Sequence, residues 1–192
     1  VDRERKTIIE HEKAVIFNSG FPLAERNFDL LDLVDLNLGG VEIWNSSFIG
    51  SDLTDTNLTD VDASQGIFFG TKFIASNLTR ACLAESNMEY AELVVANLDN
   101  TTLDGANTRR ADFDEANLAG ARFWGVDLQG TKLGRSNWRL AIYGQHWFEW
   151  TKFDDQTILE NPKKHVLWDE FPEKQRQQLR SELRALGARH MS

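Results

Sequence analysis

Histidine and cysteine are the residues of this sequence best suited to metal binding or nucleophilic chemistry, and they are few and far apart. They lie at His11, Cys82, His146, His165 and His190. No two of them have the spacing of a helical metal site such as HxxxH, and a single cysteine excludes both an internal disulfide and a cysteine-based metal cluster. The sequence also has no phosphate-binding glycine loop and no GxSxG motif. We therefore expect no catalytic residue, no bound metal and no cofactor, and hence a protein that is not an enzyme.

Carboxylates are abundant but unevenly distributed. The chain has 30 Asp and Glu against 21 Lys and Arg, for a net charge of −9. Between positions 27 and 71 there are eight acids and neither Lys nor Arg: Asp29, Asp32, Asp35, Glu42, Asp52, Asp55, Asp60 and Asp62. Such a surface repels phosphates and attracts cations, so we expect no direct nucleic-acid binding.

The clearest regularity is structural and has a period of five. Starting at Phe28, 25 of the 26 residues taken at every fifth position through Phe153 are apolar, the exception being Thr108. The residue two places before each of them is usually Ala, Ser or Thr, and the residue between is mostly Asp or Asn. A period of five fits neither the 3.6 of a helix nor the 2 of a strand. It predicts one side of a coil, with the large and the small residue facing inward and three residues facing water.

This pattern resembles that of the pentapeptide-repeat proteins, whose consensus is A(D/N)LXX. The stretch ADFDEANLAGARFWGVDLQG, from Ala111 to Gly130, is close to four consensus units. The resemblance implies an all-β fold, a right-handed quadrilateral parallel β-helix with four pentapeptides per coil and about 6.5 coils. We divide the chain accordingly into an N-terminal capping segment (1–25), the β-helix (26–157) and a C-terminal helical segment (158–192).

Four columns of inward residues should then form four walls, which we name by their first large residue: wall 1 from Phe28, wall 2 from Leu33, wall 3 from Leu38 and wall 4 from Ile43. Wall 3 carries an asparagine at every twentieth position: Asn37, Asn57, Asn77, Asn97, Asn117 and Asn137. An amide has both a donor and an acceptor, so we expect a ladder of asparagines rather than a binding stripe.

Outward residues that depart from the repeat are the candidate interaction surface: Trp44, Ile49, Ile67, Phe69, Tyr90, Arg109, Arg110 and Trp124. Contiguous exposed apolar residues usually mark an interface, although cover by the terminal segments or scattered exposure would also explain them. Thr108, Arg109 and Arg110 should face Glu89, which favours a surface ion-pair cluster and leaves an anion or partner site as the alternative.

The last segment has the signals of an amphipathic helix, including Pro172 at its start and Gly187 after its end. Its apolar residues could cap the last coil or form a homodimer contact: Trp168, Phe171, Leu179, Leu183 and Leu186.

These features predict a rigid acidic scaffold that binds an unidentified protein partner. The alternative is a DNA mimic, because some proteins of the family that this sequence resembles bind DNA gyrase and other type II topoisomerases and give quinolone resistance. No stretch is apolar enough for a membrane span, which favours a soluble cytoplasmic protein. Because the first residue is Val1, a processed lumenal or periplasmic protein stays open.

Overall fold

The computed structural model describes residues 23–138, 152–153, 177, 181 and 189–190. From 23 to 138 the chain forms a stack of four-sided coils. Parallel backbone bridges join residues 20 positions apart, from Asn27↔Ser47 to Asp112↔Lys132. A two-residue turn recurs every five residues, which gives four corners per coil. The predicted quadrilateral β-helix of pentapeptides is confirmed, whereas the number of 6.5 coils extends beyond the described residues and stays a prediction.

Each side of a coil is too short for a long strand, since three of its five residues form the corner or lead into it. Pairing along the walls therefore consists of single bridges. The two named strands in the described part of the chain are β1 (Lys152–Phe153) and β2 (Arg189–His190). They pair in parallel, with Lys152 opposite Arg189 and Phe153 opposite His190.

The corners have a fixed backbone geometry. From Glu25 to Gly130, the second residue of each turn, at positions ending in 5 or 0, has φ near +60°, as in Tyr90 (+61°) and Gly70 (+62°). The turn is closed where the next N–H donates back, for example from Ser51 N to Phe48 O at 3.0 Å. Such left-handed positions favour Gly, Asn and Asp.

The Asp or Asn that recurs in most units stabilises the corner that follows it, which the five-residue period alone did not reveal. Its side-chain oxygen accepts the backbone N–H two residues later, as when Thr54 N donates to Asp52 Oδ1 at 3.1 Å. This is the Asx turn that these residues favour, and it pairs an N–H at the corner that the neighbouring coil does not reach.

The asparagines of wall 3 form most of the expected ladder: among the described residues, four of the five neighbouring pairs are bonded, and the Asn57 and Asn77 side chains are not. Asn57 donates to Asn37 (2.7 Å), Asn117 to Asn97 (2.8 Å) and Asn137 to Asn117 (2.7 Å). The rung from Asn97 to Asn77 is longer, at 3.5 Å, because Asn97 also donates to the Thr79 hydroxyl at 3.0 Å.

The core consists of the inward columns. Phe28, Phe48 and Phe68 of wall 1 stack with ring centroids 4.8 and 5.3 Å apart. Thr108 is fully buried despite being polar, since its hydroxyl donates to the Asp127 carbonyl at 2.9 Å. The interior is therefore filled by side chains, and its burial is the main force that holds the stack together.

The terminal segments lie largely outside the described residues. Leu23 belongs to the buried core and Glu25 N donates to Trp44 O, so coil geometry is present by position 23. In the predicted C-terminal helix, Gln177 and Ser181 are helical and exposed. Its predicted contact residues all fall outside the described part of the chain: Trp168, Phe171, Leu179, Leu183 and Leu186.

Candidate functional site

Wall 1 carries a contiguous set of exposed apolar side chains. Of the nine large hydrophobic residues that are exposed in the described part of the chain, five lie on this wall. We call them the wall 1 patch: Leu30 (80% exposed), Ile49 (38%), Ile67 (40%), Phe69 (41%) and Tyr90 (44%). Exposed apolar residues that cluster in this way are typical of interaction surfaces.

The repeat itself forces these side chains outward. Within each unit the central residue and the residue two places before it point into the core, so the other three positions face solvent. Ile67 lies at the first outward position of its unit, Ile49 and Phe69 at the second, and Leu30 and Tyr90 at the corner. Most units have a polar residue at these positions, and five outward positions of wall 1 have an apolar one instead.

The aromatic end of the patch is held in place by its neighbours. The rings of Phe69 and Tyr90 meet edge to face, with centroids 5.4 Å apart. The Arg110 guanidinium lies over the Tyr90 ring at 5.4 Å, and its Nη1 donates to Tyr90 Oη at 2.6 Å. Arg110 also pairs with Glu89 at 3.7 Å, which is one ion pair of the predicted cluster. These contacts fix both rings without burying them.

A notch opens at the corner between walls 1 and 2. Leu30 Cδ2 lies over Gly50, only 3.0 Å from where a Cβ would stand. At Gly70, one coil further, nothing lies within 4 Å of that position. Gly70 thus forms the open floor of a notch that lies between Leu30 on one side and Tyr90 on the other.

The backbone at the centre of the patch has an unused donor. Because Ile67 occupies the place of the usual Asp or Asn, the Phe69 N–H has no Asx acceptor and no other hydrogen-bond acceptor among the described residues. At the equivalent place one coil earlier, Ile49 N donates to Asp29 Oδ1 at 2.8 Å. Phe69 N–H therefore faces outward and is available to a bound molecule.

The charges around the patch are mixed. Of the eight acids between positions 27 and 71, Asp29 lies on wall 1 and the other seven lie on the other three walls, whereas Arg26, Arg109 and Arg110 also lie on wall 1. Burial would raise the pKa of Asp52, but hydrogen bonds from Thr54 and the charge of Lys72 hold that pKa below its ordinary value. Hydrogen bonds from the Arg80 guanidinium likewise lower the pKa of Asp60. Both carboxylates therefore stay charged at neutral pH.

The structure separates the sequence-predicted residues into two groups. Ile49, Ile67, Phe69, Tyr90, Arg109 and Arg110 lie on wall 1. Trp44 and Trp124 lie on wall 4, with four coil steps between them. The two tryptophans therefore lie outside the wall 1 patch and do not form a second patch together.

Leu30 and the Gly70 notch were missed at the sequence level. Leu30 is the most exposed large hydrophobic residue of the described chain. Its signal is an apolar residue at a corner position, which a count of all five places in each unit would have found. The notch depends on where the Leu30 side chain lies, and no sequence period reports that.

No group of three or more His, Cys, Asp and Glu side chains in the described ranges is arranged to hold a metal ion. Cys82 is half-buried. The described residues also contain no helix long and apolar enough to cross a membrane.

The fold and its outward wall define a solenoid with a candidate contact surface on one side. The family model of pentapeptide repeats matches in 8 copies over residues 32–68, 51–89 and 96–135, which together make up more than half of the chain. The protein belongs to the pentapeptide-repeat family. No protein among those with curated functions matches this sequence.

Several solved structures are similar. A pentapeptide repeat protein from the thylakoid lumen of Arabidopsis thaliana is 26% identical over 48% of this chain, with a TM-score of 0.47. The match covers 65% of the Arabidopsis protein, so it spans less than two thirds of its length. Rfr23 from the cyanobacterium Cyanothece 51142 is 21% identical over 69% of this chain and 87% of its own, with a TM-score of 0.36. QnrB1, a plasmid-mediated fluoroquinolone resistance protein, is 17% identical over 81% of this chain and 96% of its own, with a TM-score of 0.35.

Proposed function

We propose that this protein is a non-enzymatic scaffold that binds a protein partner through the wall 1 patch. The single observation that carries the proposal is the concentration of exposed apolar side chains on one wall, centred on the Phe69–Tyr90 ring pair. The other four exposed large hydrophobic residues of the described coils lie on walls 2 and 4: Leu31, Val95, Trp44 and Trp124.

Rigidity supports this role. Each coil is bonded to the next on every wall, for example from Phe48 N to Ile67 O at 2.8 Å and from Leu53 N to Lys72 O at 2.8 Å. Side chains on such a frame are held in place before binding, so little conformational entropy is lost when a partner docks.

The interior argues for a scaffold rather than an enzyme. The buried residues of the described coils are apolar, apart from Ser and Thr side chains and Asp114. The hydroxyls bond to backbone carbonyls, as Thr71 Oγ1 does to Phe48 O at 2.6 Å, and Asp114 pairs with Arg135. Asp52 and Asp60 have lowered pKa values, and cations pair with both at the surface.

Photo-crosslinking from the patch tests the proposal. A photoreactive phenylalanine analogue at position 69 should capture a specific protein from native extract, whereas the same analogue at Thr79 on wall 3 should not. Capture at position 69 should be lost when Tyr90 is also changed to Ser, and should persist with Trp124→Ser as the matched control. Equal capture from positions 69 and 79, or no specific partner at all, would contradict the proposal.

A DNA mimic that binds DNA gyrase or another type II topoisomerase is the second candidate, and the observation that favours it is charge. The coils from 27 to 71 carry acids without Lys or Arg, and corner residues such as Asp35 and Asp55 stack one coil apart. If this function is correct, the protein should inhibit supercoiling by gyrase, and Asp35→Lys with Asp55→Lys should relieve the inhibition. Unchanged supercoiling at about micromolar protein would remove this candidate.

A further inference from the structure

We infer that the wall 1 patch pairs with the same patch of a second copy of this chain, antiparallel to the first, about a two-fold axis that passes between Phe69 and Gly70. This inference rests on the proposed function and names the partner at that same surface.

The outward corner positions of wall 1 form two neighbouring columns, each with one residue from each of five consecutive coils. The first column is Asp29, Ile49, Phe69, Glu89 and Arg109, and the second is Leu30, Gly50, Gly70, Tyr90 and Arg110. In a two-fold contact the same surface serves both copies. An axis at the middle coil exchanges the two columns and reverses their direction, so each residue of one column faces a residue of the other.

The charges at the two ends of these columns favour an antiparallel second copy. Asp29 lies at one end, and Arg109 and Arg110 lie at the other, four coil steps away. The axis brings Asp29 of each copy opposite Arg110 of the other. A partner with one sign of charge along its length would meet a like charge at one end, whereas a reversed copy meets opposite charge at both ends.

The remaining charges of wall 1 do not oppose this arrangement. Glu89 comes opposite Gly50 of the second copy and keeps its own ion pair with Arg110, at 3.7 Å. Arg26 lies three positions before Asp29 and outside the two columns. Within the two columns, therefore, no two like charges face each other.

The shapes at the middle of the patch are complementary as well. Phe69 projects from the wall, and nothing lies within 4 Å of the place where a Cβ of Gly70 would stand. The axis places the Phe69 ring of each copy over the Gly70 notch of the other. One coil away on either side, it places Ile49 against Tyr90, so the apolar side chains of both copies cover one another.

The small size of the contact makes the dimer weak. Four coil steps span about 19 Å at the spacing between strands. Two columns of five residues fall short of the roughly 1,600 Å² that stable interfaces bury, and contacts below about 1,200 Å² are typical of transient complexes. We expect a dissociation constant on the order of 10–100 µM.

Sedimentation equilibrium of the full chain tests the charge pairing between about 1 and 500 µM, a range that spans the expected constant. Asp29→Lys alone and Arg110→Glu alone each place like charges at both ends, and each should weaken the dimer at least about tenfold. An equimolar mixture of the two variants restores opposite charges at both ends and should dimerise within about threefold of the original chain. The Asp29 carboxylate also accepts Ile49 N at 2.8 Å, and because the mixture does not restore that bond, recovery reports the pairing of charges.

The notch gives a second, steric readout. A methyl group at position 70 occupies the space that the Phe69 ring is to fill, so Gly70→Ala should weaken the dimer about fivefold or more, as should Phe69→Ser. Gly40 on wall 3 also has positive φ (+70°) and nothing within 4 Å, so Gly40→Ala carries the same backbone cost away from the patch. It should change the constant less than about twofold. Circular dichroism of each variant confirms that the coils are intact.

Each other outcome would overturn the inference in a recognisable way. A dimer that ignores Gly70→Ala and both charge variants would form through another surface. If the single charge variants weaken the dimer and their mixture does not recover, Asp29 and Arg110 do not face each other and the antiparallel arrangement is wrong. If the original chain stays monomeric throughout, the second copy is wrong, and the crosslinking from position 69 separately decides whether the patch binds another protein.

Discussion

The ring of Phe68 occupies the space in which a side chain of Gly66 would stand. A Cβ built on Gly66 would lie 2.5 Å from Phe68 Cε2 and 2.8 Å from Cζ, far inside any real contact. Gly66 holds the small inward position of its unit, where most other units have Ala, Ser or Thr. We therefore expect Gly66→Ala to lower the free energy of unfolding by about 1–3 kcal/mol, because the fully buried ring has nowhere to move. Urea denaturation measures the change.

A second substitution separates this steric effect from a backbone effect. The backbone φ of Gly66 is not in the left-handed region, so alanine costs nothing there by itself. Shrinking the ring with Phe68→Leu should recover part of the stability lost in Gly66→Ala. If the double variant shows the sum of the two single losses, the contact between Gly66 and Phe68 is not the cause.

The sequence was sufficient to predict the fold because the repeat is local and leaves little choice. A large residue at every fifth position and a small one two places before it determine which side chains face inward, and the asparagines fix the phase of the coils. Thr108 shows the limit of this reasoning. Its burial depends on the Asp127 carbonyl of the next coil, a partner that hydropathy does not report.

The candidate site could be predicted only in part. The five-residue and 20-residue periods placed Ile49, Phe69 and Tyr90 on one wall, because the position of a residue in its pentapeptide determines whether its side chain faces outward. It could not show that the Leu30 side chain covers Gly50 and leaves Gly70 open, since side-chain direction at a corner depends on neighbours one coil away. The free Phe69 N–H likewise became visible only once the Asx turns had been identified.

Val95 has an unfavourable backbone conformation. It is a β-branched residue at φ +59°, and its side chain is 53% exposed. Left-handed backbone costs such a residue roughly 1–2 kcal/mol, and glycine avoids this cost. We expect Val95→Gly to raise the free energy of unfolding by about 0.5–1 kcal/mol in urea denaturation.

Val94 provides the matched control for this change. It is the preceding residue of the same turn and is not among the residues with positive φ. Val94→Gly should therefore lower the free energy of unfolding by about 0.5–1 kcal/mol. Changes of the same sign at both positions would refute the strain at Val95.

Asn117 has three side-chain hydrogen bonds within the wall 3 ladder. It donates to Asn97 at 2.8 Å and accepts from Asn137 at 2.7 Å and from Ala119 N at 3.2 Å. Asn117→Ala removes all three bonds and should cost about 1–3 kcal/mol. Asn117→Asp keeps both acceptor roles and should cost less. Thermal unfolding of the two variants compares them, and an equal loss in both would mean that the acceptor bonds contribute nothing.

The bond between Asp60 and Arg80 predicts a dependence on pH. Arg80 donates to both Asp60 oxygens at 2.6 Å, and these hydrogen bonds lower the pKa of the carboxyl. Because Asp60 binds protons less readily in the folded protein, the pair stabilises the fold above the ordinary Asp pKa of about 3.9 and stops doing so as the pH falls through the lowered pKa. Arg80→Gln should return the pKa of Asp60 to its ordinary value in a carbon-13 NMR titration, and Arg80→Lys should give an intermediate value. If the Asp60 pKa is the same in Arg80→Gln and in the original chain, the arginine is not what lowers it.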